Sequence, residues 1–185
     1  MLRSDPSQFP RACPLLRPYI FSETDAARLL SHCDAQTEDH ARSPLRWAGT
    51  RLAIILLYTT GMRRGELFRL TPNDYDPSAR TLLIRASKFH KSRLLPLPDE
   101  IAEEVERHLR ARHTVYPAAL PAEPILWSPY GRDRGYTGTW LRKNVSNLLR
   151  RSEIKKKDGR QPLIHDFRHY AEFRIMPSNA GDCRI

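Results

Sequence analysis

The chain has 185 residues, of which 40% are hydrophobic, so it can form one domain with a buried core and is too apolar for a disordered tail. Lys and Arg number 31 against 21 Asp and Glu, which gives a formal net charge of +10. This excess favours a polyanionic partner, nucleic acid ahead of a membrane surface, although an unspecialised basic protein has the same composition.

The first third of the chain is predicted to hold a linker and two helices. Residues 1–21 carry four prolines and no hydrophobic period, which indicates a linker. Ser22 opens a capping box and a helix that runs to about Cys33. Ser43 and Pro44 supply an N-cap hydroxyl and a first-turn proline for a second helix. Apolar residues at helical spacing predict that this second helix is deeply buried, namely Leu45, Ala48, Leu52, Ile54, Ile55, Leu56 and Leu57.

The middle of the chain is predicted to form a short helix and a β-hairpin. Gly61 ends the buried helix, and a short helix follows from about Arg63 to Leu70. Two β-rich runs, Thr81–Ala86 and Arg93–Leu97, flank a basic segment. Their spacing predicts a hairpin whose tip is basic.

Three further helices complete the predicted fold. One opens at Pro98 with Val105 and Leu109 on its apolar face, and another carries apolar residues over 140–149. A last helix spans about residues 165–175. The fold class that these elements predict is mainly α with one small antiparallel β-sheet, an α+β domain.

Positive charge concentrates in residues 131–160, where ten Lys and Arg stand against three acids. Such a stretch favours contact with phosphates, because each neutralised phosphate releases bound counterions. Arg142 and Lys143, on the polar face of the predicted helix, are candidates for contact with a DNA backbone. A solvated helix face is the alternative, and it stays open for several of these residues.

Cysteine spacing and hydropathy exclude several classes of site. Cys13, Cys33 and Cys183 lie far apart without a C-x-x-C pair, which argues against a disulfide framework or a zinc site. No apolar run approaches the ~20 residues of a membrane span, and the N-terminus lacks the apolar core of a signal peptide. We therefore expect a cytoplasmic chain with no metal and no membrane contact.

Three polar segments stand out against this background. They are TGMRRGEL at 60–67, a basic hairpin tip at 88–93 and HDFRH at 165–169. In the last segment, His165 and Arg168 are three residues apart and share one face of a helix. Taken alone, each segment is more simply explained as a surface charge, a solvated hairpin lysine or a chance H-x-x-R.

Taken in order, the three segments resemble the tyrosine recombinase family, the phage integrase and Xer-like enzymes. Residues 60–67 match the family's first arginine box, T-G-[LM]-R-x-x-E-L, and residues 165–169 match its H-D-[LF]-R-H box. Residues 88–97 are similar to its K-G-x-K-x-R hairpin box with a following apolar-Pro-Leu run, except that Phe89 replaces the glycine. The resemblance covers about residues 20–172 and implies the fold of the family's catalytic domain.

The resemblance implies DNA strand cleavage and rejoining through a 3′-phosphotyrosine intermediate, without a metal or nucleotide cofactor. Arg63 and Arg168 would grip the non-bridging oxygens of the scissile phosphate, because planar guanidiniums offer fixed charge and paired donors. Lys88 would protonate the departing 5′ oxygen, and His165 would orient the phosphate and take part in proton transfer. The resemblance also implies double-stranded DNA and other recombinase protomers as partners. By the same resemblance, Lys91 and Arg93 would contact the DNA backbone or cap the hairpin. Glu66 would have a structural role.

The sequence departs from the family pattern soon after Arg168. The family continues with another helix, an L-G-H-like motif and the nucleophilic tyrosine, whereas here no L-G-H and no tyrosine follow Tyr170. Tyr170 is interpreted as a packing residue, because its spacing from Arg168 turns it away from the clamp. We therefore expect no nucleophile, a linker remnant over 1–21, a partial catalytic domain over 22–172 that is incomplete at its C-terminus, and a divergent tail over 173–185.

Three hypotheses stay open at this point. The first is a tyrosine recombinase by descent that is inactive alone because its nucleophile is missing. The second is a catalytically dead DNA-binding module that acts with an intact recombinase, from which a tyrosine could be supplied. The third is a chain that does not fold stably. A type IB topoisomerase shares the chemistry, but the hairpin and the HDFRH segment resemble integrases more closely.

Overall fold

A computed structural model describes residues 18–36, 43–85, 92–129 and 135–168 of the chain. The mainly α class with a small antiparallel sheet is confirmed in this part of the chain. Among the same residues, no helix combines the length and the hydropathy that a membrane span requires. The elements are α1 (Glu23–Asp34), α2 (Arg46–Thr60), α3 (Arg64–Leu67), a 3₁₀ turn (Pro72–Asp74), β1 (Tyr75–Asp76), β2 (Thr81–Ile84), β3 (Arg93–Pro96), α4 (Asp99–Val115) and α5 (Gly138–Arg151).

Helix α2 is the centre of the core. Its residues 52–57 are each at most 6% exposed, and α1, α4 and α5 all pack against it. A helix that is apolar on every side has to be covered on every side, so this packing follows from the sequence. Deep burial of α2 is therefore confirmed, with Ala48 as an exposed exception near its start.

The start of α2 differs from the prediction. The helix begins at Arg46 with Leu45 at the N-cap, and no side chain caps it. Ser43, the predicted N-cap, has its hydroxyl 2.6 Å from the hydroxyl of Tyr136. The Ser43 cap was therefore a wrong prediction, because a distant tyrosine takes the hydroxyl that was expected to bond the helix terminus.

Helices α1 and α5 follow their local signals. The capping box is present, since Ser22 Oγ accepts from the Asp25 N–H at 3.0 Å and the Asp25 carboxylate accepts from the Ser22 N–H at 3.1 Å. In α5 the predicted apolar face is buried. The buried Asn144 of α5 also donates to Thr50 Oγ1 of α2 at 2.9 Å, so a polar contact adds to the apolar packing of the two helices.

The sheet has the order β1-β2-β3 and is antiparallel throughout. Strand β2 pairs with β3 from Thr81 opposite Pro96 to Ile84 opposite Arg93. These strands confirm the predicted hairpin, whose tip at 86–91 lies outside the described residues. Strand β1 was not predicted, because two residues are too few to show a period.

The short helix expected to run to about Leu70 is shorter in the structure. Helix α3 ends at Leu67. Beyond Leu67 the N–H groups of Arg69 and Leu70 donate to the carbonyls of Glu66 and Leu67, three residues back, at 3.0 and 3.3 Å. The chain therefore continues as a tighter turn, and the predicted length of the α-helix was wrong.

Candidate functional site

One cavity brings together residues from two of the three polar segments. It has a volume of about 370 Å³ and lies between the turn that joins α2 to α3 and residues 164–168. We call it the clamp cavity, because arginines from both sides and a histidine are among the residues that line it, and these residue types suit an oxyanion. The described residues that line it are Leu57, Met62, Arg63, Arg64, Gly65, Ile164, His165 and Arg168.

Arg63 is positioned by a sharp reversal of the chain. Gly61 ends α2, as the sequence predicts, and its φ of +62° is a left-handed conformation that glycine adopts without strain. Met62 is fully buried and anchors the turn in the core. Arg63 then stands at the N-cap of α3 in extended conformation, and its side chain is 41% exposed. The turn thus places a charged residue at the edge of the core.

Glu66 holds Arg63 from inside the protein. Its carboxylate is almost fully buried and accepts from the Arg63 N–H at 2.8 Å and from Arg63 Nη1 at 3.0 Å. Burial by itself raises the pKa of Glu66, but the hydrogen bonds and charges of Arg93 and Arg63 lower it from 4.5 to about 2. Glu66 is therefore ionised at neutral pH. Its bond to Arg63 occupies only part of the guanidinium fork, which has further donors for another acceptor.

Arg93 connects the hairpin to the same carboxylate. It donates through Nη1 to Glu66 Oε1 at 3.2 Å and through Nη2 to Glu66 Oε2 at 2.8 Å. The sequence does not predict this pair, because the two residues lie on different elements and no local pattern joins them. Contact of Arg93 with DNA stays a prediction, and its 40% exposed side chain has a partner within the protein.

The third segment combines inward anchors with side chains that line the clamp cavity. Asp166 is 5% exposed, and the fully buried Phe167 ring stacks on Phe21 with a centroid distance of 4.2 Å. His165 is exposed and Arg168 partly exposed, and both line the cavity. The Arg168 N–H donates to the His165 carbonyl at 3.2 Å, which gives the single turn that their spacing predicts.

The other predicted residues are distributed differently. Lys88, Lys91 and Tyr170 lie outside the described residues. Arg142 and Lys143 are exposed on α5, where they line an open concavity of about 300 Å³ that is separate from the clamp cavity. The structure therefore brings together three of the four predicted catalytic residues, namely Arg63, His165 and Arg168. Arg142 and Lys143 form a second basic surface.

Part of the basic stretch at 131–160 is neutralised within the protein. Lys156 Nζ lies 2.9 Å from Asp166 Oδ2, and Arg160 Nη2 lies 2.6 Å from Asp158 Oδ2. The Lys156 pair was not predicted, since nothing in a run of three lysines marks the one that turns inward. Exposed cations of the stretch include Arg142, Lys143, Lys155 and Lys157.

A larger cavity of about 630 Å³ lies between α1, α2 and α4. Its guanidiniums already have carboxylate partners: Arg51 donates to Asp34 at 2.9 Å and to Glu104 at 2.8 Å, and Arg107 pairs with Glu104. Burial lowers the pKa of His108 to about 4, so this ring is neutral at neutral pH. Asp34 and Glu104 also line the larger cavity, whereas no acid is among the described residues that line the clamp cavity, so the larger cavity is the poorer site for a phosphate.

Comparison with known sequences identifies relatives over most of the chain. The model of the phage integrase family matches residues 20–182. The integrase/recombinase y4rE of Sinorhizobium fredii is 30% identical over 161 residues, which cover 87% of this chain and 49% of that protein. Tyrosine recombinase XerA of Thermococcus kodakarensis is 30% identical over 119 residues, which cover 64% of this chain and 38% of that protein. The chain thus spans about half the length of the first relative and less of the second.

Solved structures share the fold at lower sequence identity. XerA recombinase superposes with a TM-score of 0.65 and 21% identity, over 98% of this chain and 57% of that one. XerH site-specific recombinase bound to its difH substrate superposes with a TM-score of 0.59 and 23% sequence identity, over 83% of this chain and 41% of that one. The Tn1549 transposon integrase in complex with transposon right-end DNA superposes with a TM-score of 0.66 and 18% sequence identity, over 98% of this chain and 61% of that one.

Proposed function

This chain belongs to the phage integrase family, the tyrosine recombinases, and we propose that it binds double-stranded DNA and holds a backbone phosphate for strand cleavage and rejoining in site-specific recombination. The observation that carries this proposal is the clamp cavity, where Arg63, His165 and Arg168 meet. The XerH and Tn1549 structures contain DNA, which supports the same class of substrate for this chain.

The proposed chemistry assigns one task to each cation. A tyrosine oxygen attacks the phosphorus, negative charge grows on the non-bridging oxygens, and the 5′ oxygen leaves with a proton. Arg63 and Arg168 stabilise the growing charge through paired guanidinium donors. His165 orients the phosphate and moves a proton, and Lys88 protonates the leaving oxygen. The P–O5′ bond is exchanged for a phosphotyrosine ester, and a 5′ hydroxyl attacks this ester to rejoin the strand and release the tyrosine, so the proposal includes no cofactor.

We propose that these 185 residues do not supply the attacking tyrosine. Among the described residues that line the clamp cavity, none is a tyrosine. Two of the described tyrosines are engaged elsewhere, since the Tyr75 hydroxyl donates to Glu106 at 3.0 Å and the Tyr136 ring stacks on Trp140 at 3.9 Å. The chain then acts in the cytoplasm as a DNA-binding protomer of an oligomer that includes an intact recombinase.

We predict that the protein forms no covalent adduct with DNA by itself. The assay incubates the protein with a pool of nicked duplexes of random sequence and looks for a protein–DNA species on a denaturing gel. The Tyr170→Phe variant is the matched control and should give the same blank lane. An adduct from the wild-type protein that disappears in Tyr170→Phe would contradict the proposal and would identify Tyr170 as the nucleophile.

Binding to duplex DNA is expected to depend strongly on salt through the exposed face of α5. Replacing Arg142 and Lys143 together by alanine should reduce the slope of log affinity against log salt by about 1.8, because each lost phosphate contact removes about 0.9. Fluorescence anisotropy at several salt concentrations measures the slope. The control variant replaces Arg107 and Arg110, exposed cations of α4 that pair with neighbouring glutamates. Equal slopes for both double variants would exclude α5 as the DNA contact.

A further inference from the structure

Three consecutive lysines follow α5, and one of them turns into the protein. Lys155 and Lys157 are exposed, whereas the side chain of Lys156 is 16% exposed and its Nζ lies 2.9 Å from Asp166 Oδ2. Taking an ammonium and a carboxylate out of water costs free energy that their attraction recovers only in part. The role of the Lys156 ammonium therefore depends on the role of its partner, Asp166.

Asp166 fixes the start of the segment that carries His165 and Arg168. The same Oδ2 that meets Lys156 accepts the Leu163 N–H at 2.8 Å, and the Asp166 side chain is 6% exposed. Asp166 Oδ2 thus links the backbone at Leu163, just before His165, to the Lys156 ammonium of the loop that follows α5. Without that ammonium, the buried charge would lose its counter-ion and would favour a conformation closer to water.

Lys156 is itself held by a closed turn at 156–160. Its N–H donates to the Arg160 carbonyl at 2.8 Å, and its carbonyl accepts from the Gly159 N–H at 2.9 Å. Gly159 has a φ of +79°, which favours glycine, and Asp158 pairs with Arg160 across the turn. The ammonium therefore extends from a backbone whose own hydrogen bonds fix it.

We propose that Lys156 is a positioning residue of the phosphate clamp, which acts through Asp166 and does not touch the phosphate. Asp166 and Phe167 are adjacent and point inward, one onto Lys156 and the other onto Phe21. Two neighbouring anchors fix the rotation of the turn, and so the direction in which the side chains on either side of them enter the clamp cavity. This inference rests on the proposed function, since it requires that the cavity binds a phosphate.

The test compares Lys156→Gln with Lys155→Gln, which removes the same charge from the exposed neighbour. Inorganic phosphate is titrated against each protein at ionic strength held constant with chloride, and the imidazole resonance of His165 is followed by NMR. Lys156→Gln is expected to raise the phosphate dissociation constant at least about fivefold, the size of coupling seen between contacting residues. Lys155→Gln should stay within about twofold of wild type, because water and salt screen an exposed charge.

Two further variants distinguish positioning from other roles. Asp166→Asn keeps an acceptor for the Leu163 N–H but removes the ion pair, so it should match Lys156→Gln and serves in its place if that variant does not fold. In an Arg168→Ala background, Lys156→Gln should add a smaller loss than it causes in wild-type protein, because one of the two groups that it positions is gone. A full additional loss there would mean that Lys156 contacts the phosphate directly, and this would overturn the inference.

The remaining outcomes separate this inference from the proposed function. If wild-type protein binds phosphate and the Lys156 and Lys155 variants bind it equally well, the positioning role is overturned while the clamp stands. If the His165 resonance of wild-type protein does not respond to phosphate, the clamp itself fails and the positioning role fails with it. Circular dichroism melts of each variant fix a titration temperature at which all of them are folded.

Discussion

Replacing Glu66 with glutamine is expected to lower the free energy of unfolding at pH 7 by about 3 kcal/mol. The Glu66 side chain is 1% exposed and bonds both Arg63 and Arg93. The pKa that falls from 4.5 to about 2 corresponds to this energy at about 1.4 kcal/mol per pH unit. Urea unfolding measures the loss. Glu103→Gln, at an exposed position of α4, is the matched control and should change stability by less than about 0.5 kcal/mol.

The same carboxylate predicts how stability depends on pH. The folded-state pKa of Glu66, about 2, lies below its ordinary value of 4.5, so the stabilisation is fully present above pH 4.5 and is lost as the pH falls from there towards 2. The stability difference between wild type and Glu66→Gln should therefore shrink through this range. A difference that stays constant from neutral pH to pH 3 would contradict the role assigned to the ionised carboxylate.

Replacing Phe167 with alanine is expected to cost about 3 to 5 kcal/mol of unfolding free energy, the range for a large aromatic side chain removed from a core. Phe167 is fully buried, and its ring lies 4.2 Å from that of Phe21 at an angle of 7°. The lost ring leaves a space that the core can fill only in part. Thermal and urea unfolding measure the effect, and Phe167→Leu, which retains most of the volume, should lose less.

The stacked pair also predicts coupling between the two phenylalanines. If Phe21 stabilises the protein chiefly through Phe167, the double alanine variant should lose less than the sum of the two single losses. Strict additivity would show that the rings act independently. It would then weaken the view that Phe21, just before α1, anchors the segment that carries His165 and Arg168.

Local sequence signals predicted those parts of the fold that depend on near neighbours. The capping box at Ser22 starts α1 and Gly61 ends α2, because both signals act within one turn of a helix. The spacing of apolar residues predicted helix α5 and the burial of α2, because this spacing also depends on residues within a turn or two of one another. The H-x-x-R spacing also predicted correctly that His165 and Arg168 share a face.

Contacts between residues that are far apart in the chain could not be predicted from the sequence. Ser43 was expected to cap α2, but Tyr136 takes its hydroxyl. The Glu66 carboxylate that joins Arg63 to Arg93 has no local pattern on the hairpin side. The Lys156 pair with Asp166 is hidden in a run of lysines. In each case the choice among several chemically equal partners is made by packing, which brings one of them into reach.

The central claim is that Arg63, His165 and Arg168 form a grip for one DNA backbone phosphate. A crystal structure of the protein with a DNA duplex tests it most directly. We predict a backbone phosphate in the clamp cavity, with guanidinium nitrogens of Arg63 and Arg168 within about 3 Å of its non-bridging oxygens. DNA bound along another face, with no phosphate between these three side chains, would contradict the claim.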